Sequence, residues 1–406
     1  KRCNLWNIIC LMECLGKGGN TKPKKELNKK KIWKLAITII FTILFIVFAV
    51  LYTKNYEFRN FFDKYIFRKE VNSENLSYIE IDSSKNINVF AYSRYIVVLD
   101  QNQLKIYNKY GNQEHVLDVK ISNPIFEAED DYLCIGEKGG QNIYLISNKN
   151  IVWQKEIEGN ISSININKNG YVSAIISGTS YKTVVQVFDS KGNGLFKKYL
   201  SSTNVIDTDI SNDNKYLAIA EANFSGIVVQ SNIKVISIQD AQTNSTESIK
   251  HTYIANPDNL IINIKYNNKN ELMCMYDTHI DLLKEGNSEE LINFKDEDLL
   301  FADINLSNKF TKIIKRSEGI LNSVIELQIV NSNNQNVNTY RIESTPKKMY
   351  VQDDMIALNL GTGVLFINDN GWLVKEYKSH EEVQRIVLSN DIAGVICKGK
   401  IKIISL

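Results

Sequence analysis

Residues 161–194, ISSININKNGYVSAIISGTSYKTVVQVFDSKGNG, decide how this chain folds. Two short runs stand out, Val172-Ser173-Ala174-Ile175-Ile176 and Val184-Val185-Gln186-Val187-Phe188. Both are rich in β-branched side chains and too short for a stable helix, so each reads as a strand. Upstream, alternating Ile164-Asn165-Ile166 runs into the turn Asn167-Lys168-Asn169-Gly170; downstream, Asp189-Ser190-Lys191-Gly192-Asn193-Gly194 makes a second turn. Asn, Asp and Gly favour tight turns because they tolerate left-handed backbone or hydrogen-bond their own main chain. The unit is an entry strand, a turn, two hydrophobic strands and a polar outer strand.

The unit recurs about every 40 residues. Paired runs lie at 96–99 and 104–107, 132–135 and 143–146, 216–220 and 233–238, and 272–276 and 280–283. Three further pairs lie at 312–314 and 325–330, 355–358 and 364–367, and 393–397 and 401–404. Nothing in the body combines helical periodicity with helix length, so the body is all-β. A four-stranded unit at this period is a β-propeller blade. Seven units begin near Asn86, Ile121, Ile161, Asn204, Asn259, Leu299 and Lys347, and an eighth, 382–406, stops after its third strand. A lone strand at 77–82 supplies the missing fourth and closes the ring. The expectation is an eight-bladed propeller over 77–406, with seven blades the alternative if one unit is irregular. The unit at 204–255 is over-long, and its insertion at 221–230 (EANFSGIVVQ) is expected to project from one face.

Upstream of the repeat the composition changes. The 406 residues carry a net charge of +2, are 44% hydrophobic and 23% charged, and include only 4 Pro and 20 Gly. That excludes collagen-like and Pro/Gly-rich disordered chains. Residues 1–52 hold 10 Lys/Arg against 2 Asp/Glu, a net of +8, which leaves the remainder at −6. Residues 35–52 (LAITIIFTILFIVFAVLY) are 18 uncharged residues, enough for a helix of about 27 Å, close to the bilayer hydrocarbon. Seven lysines between 22 and 34 precede this run, and Trp33 and Tyr52 flank it. The pattern predicts a single transmembrane helix at 35–52 inserted in membrane lipid, a lysine-rich cytoplasmic tail at 1–34 and an extracytoplasmic body. An uncleaved signal anchor is preferred to a signal peptide cut after Val47-Phe48-Ala49, because the apolar run continues past Ala49. Met12 reads as a more credible start than Lys1. Residues 53–76 read as a juxtamembrane helix and linker, with Phe58, Phe61, Phe62 and Tyr65 on one helical face.

Catalytic and metal-binding signatures are sparse. Cys3, Cys10 and Cys14 fall in the tail, whereas Cys134, Cys274 and Cys397 sit inside strands and read as buried free thiols. His115, His251, His279 and His380 show no ligand spacing, so neither a metal site nor a cofactor is expected. Ser344-Thr345-Pro346-Lys347 matches S-x-x-K without its companion motifs and falls at a blade junction. Asn165, Asn167, Asn169 and Gly170 imitate a calcium loop, but its twelfth position is Ile176 rather than Glu. The acidic groups Glu127, Glu129, Asp130, Asp131 and 296–298 read as solvated loops. With only Trp153 and Trp372 in the body, a quinone-cofactor propeller is not expected, and an acidic external body excludes nucleic acid as a partner.

Two readings of function remain. The first is a non-enzymatic, membrane-tethered scaffold that binds a protein or an envelope polymer, with Phe224, Ile227 and Val228 of the insertion as its surface. The second is a cell-wall-directed hydrolase or lyase at the channel mouth. For that, Asp207 and Asp209 are the only close carboxylate pair on an entry strand, and period-two spacing puts them on one face.

Residues 177–238 carry Val187-Phe188-Asp189 with Gly192-Asn193, then Leu195-Phe196-Lys197, then Val205-Ile206-Asp207 with DNKYLA at 213–218. On these features the stretch resembles a clostridial family of membrane-anchored, propeller-like proteins known only as a domain of unknown function. The layout is similar over most of 30–406, although Lys198 stands where the family often has Trp. The resemblance implies a Gram-positive cell-surface protein and brings no catalytic residues with it.

Overall fold

The paired hydrophobic runs become the two middle strands of successive antiparallel sheets. A computed structural model describes residues 29–406 except 68, 73–75, 83–86, 245–246, 258, 319–321 and 334. Most of the lysine-rich tail, with Met12 and its three cysteines, and the centre of the linker lie outside the described residues. Blades one to eight span 88–118, 124–156, 160–200, 204–254, 261–293, 299–342, 348–378 and 385–405. The last of these has three strands, and Tyr78–Glu80 pairs with Lys400–Ser405 as its fourth, Ile79 standing opposite Ile401. The fold is therefore an eight-bladed β-propeller whose last blade is completed by the strand Tyr78–Glu80.

Burial follows the strand order. Tyr132–Glu137 and Asn142–Ser147, the middle strands of blade two, are buried at every position but their ends, while the outer strand Asn150–Glu156 is exposed except around Trp153. A middle strand is covered on both faces because each blade packs against two neighbours, which is why its sequence reads as an unbroken apolar run. Cys134, Cys274 and Cys397 are buried free thiols within these strands.

The turns share one piece of chemistry. Asn167 Oδ1 accepts from the N–H groups of Asn169 and Tyr171 at 3.0 Å. Asn267, Asn108, Asp189 and Asn368 each do the same for the residues two and four places on. A glycine is required where such a turn also meets a neighbouring blade. Gly192 has φ +81°, and a Cβ there would lie 2.8 Å from Trp153 of blade two.

The N-terminal segments depart from the sequence reading. A helix runs over Lys29–Lys54, and its Trp33–Lys54 portion is long and apolar enough to cross a membrane, with none of it buried in protein. Within the stretch 53–76 read as a helix and linker, the helical part is a short α-helix, Tyr56–Phe61, capped by Asn55, followed by a single π-helical turn, Phe62–Ile66. Phe48 meets Phe58 and Phe62 edge-on at 5.6 and 4.9 Å between ring centres. Within the stretch read as helix and linker, Glu70–Asn72 is a strand pairing in parallel with Leu373–Lys378, which gives blade seven a fifth strand. Three residues are too few to carry a period in sequence. Chain contacts separate a helical unit ending at Phe62 from the propeller unit that begins at Asp63.

Candidate functional site

Innermost strands face the central channel, and four of them carry the same irregularity. Blades three to six each have a β-bulge near the start of the inner strand, between Ile161 and Ser163, Val205 and Asp207, Ile261 and Asn263, and Leu299 and Phe301. One extra residue re-aims every side chain that follows it. Beyond these bulges, Asn165, Asp207, Lys265 and Asn305 converge with Glu127 and Glu129 of blade two and Gln352 of blade seven around a cavity of about 280 Å³. The expectation of solvated loops at Glu127 and Glu129 is thus corrected: both lie on the inner strand Pro124–Glu129, whose polar alternation faces the channel rather than bulk water.

Two hydrogen bonds span the ring. Lys265 Nζ donates to Glu129 Oε2 at 3.0 Å, joining blade five to blade two, and lies 3.9 Å from Asp209 Oδ1. Gln352 Nε2 donates to the Ala128 carbonyl at 2.9 Å, joining blade seven to blade two. Asp207 and Asp209 work between neighbours. Asp207 Oδ2 accepts from Ile264 N–H at 3.1 Å and Asp209 Oδ2 from Tyr266 N–H at 2.6 Å. Period-two spacing on one strand therefore meets period-two N–H groups on the next, and the carboxylates staple blade four to blade five.

Enclosure governs the protonation of this cluster. Asp209 is 1% exposed, and burial pushes its carboxyl up to about 7 against the pull of Lys265 and the Tyr266 N–H. Asp207 is pushed up to about 6 by burial, opposed by the N–H groups of Ile264 and Thr208. Burial also raises Glu127 to about 7, although its surface is open to the cavity and the effect on stability is correspondingly weaker. Burial opposes the charge of Lys265, yet Glu129 and Asp209 outweigh it and hold the ammonium above its ordinary range. At neutral pH the charged Lys265 therefore sits among Glu127 and Asp209, whose carboxyls are near 7, and Asp207, near 6. Asp209 is sealed, and both oxygens of Asp207 accept backbone N–H bonds.

The other predicted residues lie elsewhere. Strands Tyr216–Asn223 and Gln230–Ser237 form the long central hairpin of blade four, and the connection 224–229 is its tip. Phe224 is 52% exposed, Val228 53%, and Ile227 fully exposed. By strand order the same end of the propeller carries the exposed Ile254 and Leu260 of the blade four to five connection, and Tyr181 and Tyr199 of blade three. The two tyrosine rings lie 4.7 Å apart. Lys347 of the S-x-x-K match sits in the connection between blades six and seven and pairs with Glu382 at 2.6 Å. Lys265 escaped the sequence reading because an Asn-Ile-Lys-Tyr alternation also describes a solvent-facing strand; its position as the first strand of a unit was the available signal.

The fold has counterparts among solved structures. Sqt1 of Chaetomium thermophilum, solved bound to the N-terminus of the ribosomal protein L10, superposes with a TM-score of 0.52 at 9% identity, over 83% of this chain and all of that one. BamB from Moraxella catarrhalis gives a TM-score of 0.46 at 11% identity, over 82% of this chain and 99% of that one. At such identities the likeness speaks for the fold alone. No curated protein is similar to the chain in sequence. A family model does match residues 67–406, from just before the fifth strand of blade seven to the last residue, and by that match the chain belongs to DUF5711, a family of unknown function.

Proposed function

We propose that this protein is a non-enzymatic, membrane-tethered binding propeller on the extracytoplasmic side of a Gram-positive cell, docking a protein through the blade three and four end of the ring. The observation that carries this reading is the tip of the blade four hairpin, where Phe224, Ile227 and Val228 stand exposed together. Exposing three large apolar side chains on one short loop is unfavourable in isolation and is compensated when a partner covers them. Tyrosines and aliphatic residues on the same end supply the composition of an interface centre. The apolar helix with lysines before it supports the anchor and its orientation. Engagement of Asp207 and Asp209 as staples supports a scaffold over a glycan hydrolase or lyase.

Affinity capture of the full chain from envelope extract, set beside a variant with Phe224, Ile227 and Val228 all replaced by Ser, tests the reading. A protein recovered with the wild type and lost with a normally folded triple variant supports it. Identical recoveries from both would refute the assigned surface.

A further inference from the structure

Outside the channel, one group of side chains has the geometry of a metal-ion site. His279 and Asp281 lie two apart on the strand His279–Lys284, so they share a face, and the register sets Glu290 of the outer strand Asn287–Asn293 opposite Asp281. A ligand atom from each of the three lies within 4.8 Å of the others. His279 is 8% and Asp281 9% exposed. They border a cavity of about 340 Å³ between blades four and five, whose wall includes Thr252, Asn256 and Ser288.

The hydrogen bonds fix which atoms point inward. Thr278 Oγ1 is 2.8 Å from His279 Nδ1 and 3.5 Å from Asn259 Oδ1. In the tautomer a metal ligand at Nε2 requires, Nδ1–H donates to Thr278 Oγ1, and that hydroxyl can donate onward to Asn259 Oδ1. His279 Nε2 is left with its lone pair, 3.4 Å from Asp281 Oδ1. Asp281 Oδ2 is taken by the Ser288 hydroxyl, whereas Oδ1 is buried without a hydrogen-bond donor. A lone pair facing a buried carboxylate oxygen is repulsive, and so are two carboxylates directly opposed across strands. A cation between them removes both conflicts. The 3.4 Å separation is close to that of two ligands on one tetrahedral ion with bonds of about 2.0–2.1 Å.

We propose that His279, Asp281 and Glu290 bind a divalent transition-metal ion of the zinc class, with a fourth position open to the blade four to five cavity. An imidazole among the ligands favours such an ion over calcium or magnesium. Thr278 orients the histidine as an outer-shell partner.

The test is titration of the chelator-treated full chain in detergent with Zn²⁺, followed by calorimetry and thermal melting. The site predicts one saturable equivalent that raises the melting temperature. His279→Gln should weaken that equivalent by more than about 100-fold, and Thr278→Val by about 10–100-fold, the cost of losing an outer-shell partner. Glu290→Gln, at an exposed position, should weaken it without altering the metal-free melt, and it carries the test if the histidine variant does not fold. Zn²⁺ binding undiminished in both His279→Gln and Glu290→Gln, or no saturable binding by the wild type, would overturn the site and leave a proton between His279 and Asp281.

Discussion

At the scale of single residues, the channel turns on where protons sit. Asp209 has a folded-state carboxyl near 7, against an unfolded value of about 3.9. The folded form therefore holds a proton that the unfolded form has lost between those two values, and stability falls as pH rises through that window. Wild-type protein is expected to melt about 5 °C higher at pH 5 than at pH 8 by this term, and Asp209→Asn, which keeps the acceptor for Tyr266 N–H, should flatten the difference. A melting curve equally pH-dependent in the variant would show that the slope arises elsewhere. Removing the counter-ion acts in the opposite sense. Lys265→Met leaves carboxylates uncompensated and should cost about 3 kcal/mol at pH 8, with a smaller loss at pH 5, where Asp209 is protonated; denaturant melts at both values would measure it. Individual residues were the least legible level of the sequence. Asp207 and Asp209 stood out by their spacing, but the N–H groups that engage them belong to a strand more than fifty residues away in the chain.

At the scale of elements, the turns carry the repeat. Asn167 is 2% exposed, and besides its two accepted bonds its Nδ2 donates to the Ser211 carbonyl at 3.0 Å, tying blade three to blade four. Asn108 makes the equivalent turn at a half-buried position. Truncating Asn167 to Ala should cost about 2–3 kcal/mol through unsatisfied buried groups, and Asn108→Ala less than about 1 kcal/mol; equal losses in urea unfolding would contradict this ranking. Strands and turns were read from sequence because apolar pairs such as 172–176 and 184–188 are bounded by Asn, Asp and Gly. The bulges left no such trace, since Ile206 is as apolar as Val205 before it and only pairing shows it to be extra. Nor could the pairing of Glu70–Asn72 with blade seven be seen, because the segment is three residues long and its partner lies about three hundred residues away.

At the scale of the whole molecule, the ring depends on one short strand. Ile79 is buried and opposite Ile401 in the strand that completes blade eight. Ile79→Asp places an unpaired charge at that closure and should cost at least about 3 kcal/mol, with the eighth blade becoming protease-sensitive first; a wild-type digestion pattern would argue against closure there. The ring was legible because seven complete units, one three-stranded unit and one stray strand admit a single economical closure, whereas the shared metal-ligand face was not, since His-Ile-Asp is an unremarkable tripeptide until register sets Glu290 opposite. The central claim is that the blade four tip is where a partner docks. Photo-crosslinking in living cells from a probe at position 227 measures this most directly, with position 110, exposed on a turn at the opposite end, as the control. The account predicts one discrete protein adduct from 227 and none of that mass from 110; no adduct at 227, or the same adducts from both positions, would contradict it.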